Sequence, residues 1–354
     1  MADTLNTADL GMEVSIGSID KELRKLWEAD DARTNASLIN FAVYSEDANA
    51  LAANSDIVRE ITREHACRAI LIGIDRKAAD TSIRAWITAH CHLAHGRKSI
   101  CCEQLAFHLT GKAIGRLRNT VFSHLNSDLP LVFWWQGELS ERFNERLYSL
   151  IDRLVVDSSQ WEDPQQQFGM IQAAMKDSPL VVQDLSWTRT YHFRLAVAAL
   201  YDDPVLQDTL LAIQKVKITC HPDNQASGLQ LLAWLAVQAG WKLSKDLVSD
   251  GCANSFRFEK SNGELLDACL MLDEHSAQVG ELEILSPGVH VKVSKEKGSS
   301  LLSQYLEVEG HRVEAHAPAD SEKVEELVAD QLSRGGKNSL FRKVLPQFLE
   351  LLDS

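Results

Sequence analysis

Asp128-Leu129-Pro130-Leu131-Val132-Phe133-Trp134-Trp135 opens a stretch, running on to Arg194, that decides the fold. A second apolar run, Leu154-Val155-Val156, sits between Asp152-Arg153 and Asp157-Ser158. Asp184-Leu185-Ser186-Trp187-Thr188-Arg189 closes the stretch. Short apolar runs bounded by turn residues, with helical spacers between them, predict buried parallel strands in an α/β layer. Such folds place their sites at strand ends, so the polar groups there are candidates for function, although most polar groups at strand ends are caps and turns.

The same pattern extends towards the N-terminus. Leu38 to Tyr44 and Arg68 to Ile74 read as strands on either side of a helix from Ala48 to Glu64, a strand–helix–strand unit. Met1 to Gly17 reads as a lead-in, followed by a helix with Ile19, Leu23, Leu26 and Trp27 on one face. Ile83 to Leu93 and Ser99 to Leu109 both alternate around His95-Gly96-Arg97-Lys98, which suits a hairpin. A two-residue turn at Gly96-Arg97 would set Cys91 opposite Cys102 and leave His90, His92, Cys101 and Glu103 on the other face. Helices are expected at Lys112 to Leu125, Glu141 to Leu150, Pro164 to Met175 and Thr190 to Leu200.

The pattern changes near Lys215. A short strand and the apolar helix Gly228 to Ala239 precede a series of short strands from Ser255 to Glu307. Asn262-Gly263, Pro287-Gly288 and Lys297-Gly298 separate several of them and predict an antiparallel meander. Two helices end the chain, Ser321 to Leu332 and Leu340 to Leu351. The expected fold is therefore α/β: a mixed sheet with flanking helices, plus a smaller C-terminal α+β domain with an antiparallel meander. The expected division is residues 1–32 as lead-in and helix, 33–208 as the α/β domain, and 209–354 as the C-terminal domain.

Totals narrow the function classes. The 354 residues suffice for two cores. With 50 acidic and 36 basic residues the net charge is −14, which argues against binding a phosphate backbone. No apolar run approaches the roughly 20 residues of a membrane span, and the first residues lack a signal-peptide pattern, so a cytoplasmic protein is expected. Seven cysteines, an odd number, argue against a full disulfide framework.

No phosphate loop, G-x-G-x-x-G, G-x-S-x-G or H-E-x-x-H occurs, and Gly111-Lys112-Ala113-Ile114-Gly115 has the wrong order for a phosphate loop. No catalytic residue, metal site or cofactor is assigned. His90, Cys91, His92, His95, Cys101 and Cys102 have the residue types of a zinc site, but the hairpin divides them between two faces. Buried small polarizable side chains explain them better. Cys91 and Cys102 are the redox candidates. Trp134 and Trp135 suit a core or an interface. Arg153, Asp157 and Ser158 suit either a cap with a local ion pair or an anion site, and Trp187 with Arg189 either a stack or a fork onto a carboxylate.

Five blocks in order carry a family resemblance. They are Cys67-Arg68-Ala69-Ile70-Leu71-Ile72, Ile100-Cys101-Cys102-Glu103-Gln104, Leu129 to Trp135, Asp152 to Ser158, and Asp184 to Arg189. The sequence resembles the OpcA family, the glucose-6-phosphate dehydrogenase assembly proteins, from about Arg33 to Arg194. It departs at His65-Ala66-Cys67-Arg68, where the family often has His-Pro-Cys-Arg. The resemblance implies a non-catalytic partner that favours the active oligomer of glucose-6-phosphate dehydrogenase in the oxidative pentose phosphate pathway. For photosynthetic bacteria it also implies redox control through thioredoxin. Arg68, Glu103, Trp134, Trp135, Arg153, Asp157, Ser158, Trp187 and Arg189 are the expected partner- or anion-binding residues. The competing reading is a sugar-phosphate binder or enzyme that uses the strand-end cleft.

Overall fold

In a computed structural model, the described residues are 7, 9–28, 33–35, 37–47, 49–94, 98–245, 252, 254–334 and 338–354; at 33–35, 93–94 and 98–100 only the backbone is described. Two compact units interleave along the chain. One holds Met1–Asp157, Met170–Val182 and Val328–Gly336, and the other Ser158–Gly169, Gln183–Leu327 and Lys337–Ser354.

The first unit is built on a mixed sheet. Its strands are β1 (Met12–Val14), β2 (Arg33–Asn35), β3 (Ile39–Ser45), β4 (Cys67–Asp75), β5 (Ile83–Ala94), β6 (Lys98–Thr110), β7 (Leu131–Trp135), β8 (Arg153–Val156) and β9 (Val181–Asp184), of which Val181 and Val182 belong to this unit. They lie in the order β1-β5-β6-β4-β3-β7-β8-β9, with β2 beside β6. Strands β6, β4, β3, β7 and β8 run parallel. A parallel strand in mid-sheet is covered on both faces, so its apolar residues run on without alternation. Accordingly Phe41 to Tyr44, Ala69 to Ile72, Val132 to Trp135 and Leu154 to Val156 are buried throughout. The helix Ala50–Ile61 turns Leu51, Val58 and Ile61 inward. Gly73 lets it close on the sheet: a Cβ there would stand 2.8 Å from Leu51 Cγ. Residues 12–14, read as lead-in, pair with β5.

Two polar side chains fix the entrance to β7. Asn40 Nδ2 donates to Asn126 O at 2.8 Å and to Leu129 O at 3.0 Å, while its Oδ1 accepts from Asn126 N at 2.9 Å. Asp152 Oδ2 accepts from Leu131 N at 2.7 Å.

The second unit carries β10 (Lys215–Cys220), β11 (Lys242–Leu243), β12 (Asn254–Glu259), β13 (Leu265–Leu272), β14 (Val279–Ser286), β15 (Val289–Ser294), β16 (Leu301–Val308) and β17 (His311–Pro318). Their order is β11-β12-β13-β10-β14-β15-β16-β17. β10 pairs parallel with β13 and antiparallel with β14, and the meander β14 to β17 follows. The turn glycines predicted at 263, 288 and 298 all adopt positive φ. The helix Gln225–Ala239 is buried from Ala226 to Ala236 and packs beside the helix Ser339–Leu352. No described helix is long and apolar enough to cross a membrane.

The β5–β6 hairpin corrects the expected register. Ala94 lies opposite Lys98, so three residues connect the strands, and the turn assigned to Gly96-Arg97 falls outside the described residues. One extra connecting residue moves every partner by one. Cys91 faces Cys101 and forms a disulfide with it, and His90 faces Cys102. Cys102 is instead a buried thiol outside the disulfides, beside Cys67. A second disulfide, Cys252–Cys269, has no counterpart in the sequence reading.

Candidate functional site

The parallel strands reverse their order of winding between β3 and β7, the position where open α/β sheets bind ligands at their carboxyl ends. At that end of the strands the side chains bond to one another. Glu46 Oε1 accepts from Tyr44 Oη at 2.9 Å, Ser140 Oγ at 2.5 Å and Arg76 Nη2 at 2.7 Å. Arg76 also reaches Glu46 Oε2 from Nε at 2.6 Å and Glu141 from Nη1 at 2.8 Å. These carboxylates hold the guanidinium more firmly charged than usual, and burial, then Glu46, pushes the Tyr44 phenol above its ordinary range. Alongside, Asn54 and Gln136 exchange amide bonds at 2.9 and 2.8 Å.

A dinucleotide pyrophosphate needs close backbone approach and free N–H groups at the first strand–helix turn. Here that turn reads Ser45-Glu46-Asp47-Ala48-Asn49, with two carboxylates and no glycine. Asp47 Oδ1 is bonded to Asn49 N at 2.9 Å. The residues present do not fit a dinucleotide, and no step through one is derived.

At the opposite, amino-terminal end of the strands, two expected residues do meet. Glu103 Oε2 lies 3.4 Å from Arg68 Nε, and its Oε1 accepts from Trp27 Nε1 at 2.6 Å. They line an open cavity of about 440 Å³ with Asp20, Leu23, Arg24, Ser37 and Asn126. Trp27 was read only as part of an apolar helix face, and its partner lies 76 residues away. No local pattern links the two.

The other candidates are dispersed. Trp134 and Trp135, read as suiting a core or an interface, are both buried, because β7 is covered on both faces. Trp135 Nε1 donates to Glu138 O at 2.9 Å, and its ring lies 4.2 Å from that of Tyr44. Arg153 is half-buried, which lowers its pKa, and Nη1 approaches Gln331 O at 3.4 Å. Asp157 is buried.

In the second unit, Ser158 is bound to Asp184, whose Oδ2 also accepts from Gln230 Nε2 at 2.6 Å. Trp187 and Arg189, expected to bind a partner or an anion, are buried too. The guanidinium over the Trp187 ring, at 3.5 Å, belongs to Arg194 rather than Arg189. Asp184, Gln230 and Arg194 were missed because their partners lie elsewhere in the sequence or a helical turn or more away.

No group of three or more His, Cys, Asp or Glu able to hold a metal ion occurs among the described residues. His90 Nε2 is 2.9 Å from Gln104 Oε1, and His92 Nε2 is 3.1 Å from Thr62 Oγ1.

Comparison with known proteins gives the family. Residues 58–173 match the model described as glucose-6-phosphate dehydrogenase subunit N-terminal domain, and residues 180–345 the corresponding C-terminal domain. The chain belongs to the OpcA family. It is 24% identical over 316 residues to a protein of Synechocystis named OpcA, for the OxPP cycle, covering 84% of this chain and 66% of that one. A Synechococcus elongatus protein of the same name is 24% identical over 306 residues, covering 80% and 67%. This OpcA-family chain thus spans about two thirds of the length of these relatives.

Among solved structures, a variant of KijD10, a 3-ketoreductase from Actinomadura kijaniata in complex with TDP-benzene and NADP, aligns with a TM-score of 0.50. Identity is 11%, over 89% of this chain and 96% of that one, so the likeness is one of fold.

Proposed function

We propose that this OpcA-family chain is a non-catalytic partner of glucose-6-phosphate dehydrogenase, acting in the oxidative pentose phosphate pathway by binding that enzyme and favouring its active oligomer. The observation that carries the reading is a mismatch. Both matched family models are described as domains of a dehydrogenase subunit. Yet where this fold would seat a dinucleotide, the first strand–helix turn has two carboxylates and no glycine, and Glu46 is bonded to Arg76 and Ser140. A chain that keeps the architecture but not the residues a dinucleotide needs is suited to contact rather than turnover.

Such a partner works only through differential affinity: it must bind the active state of the enzyme more tightly than the inactive one. About 1.4 kcal/mol of preference shifts the ratio tenfold. A redox component, with thioredoxin as reductant in the cytoplasm, has its physical handle in the Cys91–Cys101 disulfide, because Cys91 lies at the surface.

The test is to mix the chain with the dehydrogenase of its own host, size the mixture, and assay the enzyme with and without the chain. A heavier complex with a raised rate or lowered KM is expected. An enzyme unchanged in size, rate and KM ends the proposal, as does turnover of a sugar phosphate by the isolated chain.

A further inference from the structure

Most of the lining of the cavity at the amino-terminal end of the first sheet lies outside the expected partner-binding residues. The helix Ile19–Glu28 supplies Asp20, Leu23, Arg24 and Trp27, at spacings of three, four and seven, so they share one stripe. Leu23 anchors that stripe and is buried. Opposite stand Arg68 on β4 and Glu103 on β6, adjacent parallel strands. Glu103 is 93% buried, being 7% exposed, and its two oxygens hold Trp27 and Arg68 in place. Ser37 and Asn126 complete the rim.

Each lining group has a chemical preference. Arg24 is exposed and lines the cavity, so its guanidinium can meet an oxyanion in the fork geometry that suits phosphate. Asp20, Asn126 and Ser37 offer acceptors and donors for hydroxyl groups. Trp27 presents an indole held by its N–H, a flat apolar surface for the C–H face of a sugar ring. The volume falls within the range of small-molecule sites. One aromatic ring, polar rims and an exposed arginine match a ring with hydroxyls and a single phosphate.

We infer that this cavity is a binding site for a phosphorylated sugar, with Arg24 on the phosphate and Trp27 under the ring. The site is at the opposite end of the strands from the Glu46–Arg76 cluster. The inference does not depend on the partner reading, because it concerns the isolated chain.

Calorimetry on the full chain tests it with three probes: glucose 6-phosphate, glucose and inorganic phosphate. Saturable heat with glucose 6-phosphate is expected, with weaker binding of the other two. Arg24→Gln should weaken glucose 6-phosphate about tenfold. Lys21→Gln removes the same charge from an exposed position on the same helix and should leave binding unchanged. Trp27→Phe keeps a ring but loses the bond to Glu103, and should fall between. Four outcomes overturn the inference. These are no heat with glucose 6-phosphate at millimolar concentration; inorganic phosphate binding as tightly, which means an adventitious ion only; Arg24→Gln binding like the parent; and Lys21→Gln weakening as much as Arg24→Gln. No dehydrogenase is present, so failure here leaves the partner reading standing.

Discussion

Ser158 and Asp184 are joined twice: the Ser158 backbone N–H donates to Asp184 Oδ1 at 3.0 Å, and its Oγ donates to Oδ2 at 2.6 Å. The same carboxylate accepts from Ser186 N at 3.0 Å and from Gln230 Nε2 at 2.6 Å. Both residues are buried, so removing the carboxylate strands several donors away from water. Each stranded donor costs roughly 1–3 kcal/mol. Asp184→Ala is therefore expected to lose about 3 kcal/mol or more of stability. Urea unfolding checks it; a midpoint unchanged from the parent would show that the carboxylate is dispensable to the fold.

A helix glycine gives a contest of two effects. Gly228 lies inside the helix Gln225–Ala239, where alanine would ordinarily gain about 1 kcal/mol from propensity. A Cβ at Gly228 would stand 2.6 Å from Leu270 Cδ1 and 3.1 Å from Cys220 Sγ. Overpacking of that kind costs roughly 1–3 kcal/mol. Gly228→Ala should therefore destabilise, and Leu270→Val in the same chain should restore part of the loss. A thermal shift upwards for the single variant would mean that the helix and sheet separate there without penalty.

The parts of the fold legible in the sequence are those with a strong period. The apolar runs of β3, β4, β7 and β8 and the turn glycines at 263, 288 and 298 all stand where the sequence places them. β17 was missed because nearly all of it is exposed, leaving no burial pattern to read. The helix expected from Lys112 to Leu125 breaks into short turns around Leu117–Thr120, where Gly111, Gly115 and the β-branched Thr120 and Val121 weaken it. Within the sites, burial of Trp134 and Trp135 follows from their place in a mid-sheet parallel strand. The Trp27–Glu103 and Ser158–Asp184 bonds join distant segments, and no spacing rule reaches them.

Mild acid should destabilise the chain through its histidines. Burial lowers the pKa of His65, His90, His92, His108 and His124 below the ordinary value of about 6.5. The unfolded chain therefore binds protons that the folded chain refuses. The stability contributed by the neutral rings is present above pH ~6.5 and is lost as pH falls through 6.5 towards the lowered folded values. The melting temperature should fall between pH 7.5 and 5, above the range where carboxylates titrate. His90→Gln, which removes the most buried of the five, should flatten that slope. A slope identical in parent and variant would remove His90 from the account.

Thiol chemistry should divide the seven cysteines into two disulfides and three thiols, Cys67, Cys102 and Cys220. Denatured without reductant, the chain should therefore release three thiols to a colorimetric reagent, and seven after reduction. Their rates in the folded state should differ. The hydrogen bond from the Cys67 thiol lowers the pKa of Cys102, while burial pushes Cys220 up to about 12. The thiolate is the reactive form, so near pH 8 an alkylating agent should mark Cys102 before Cys220. Peptide mapping after partial alkylation decides the order. Labelling of Cys220 first, or five free thiols in the unreduced denatured chain, would contradict this division of the cysteines.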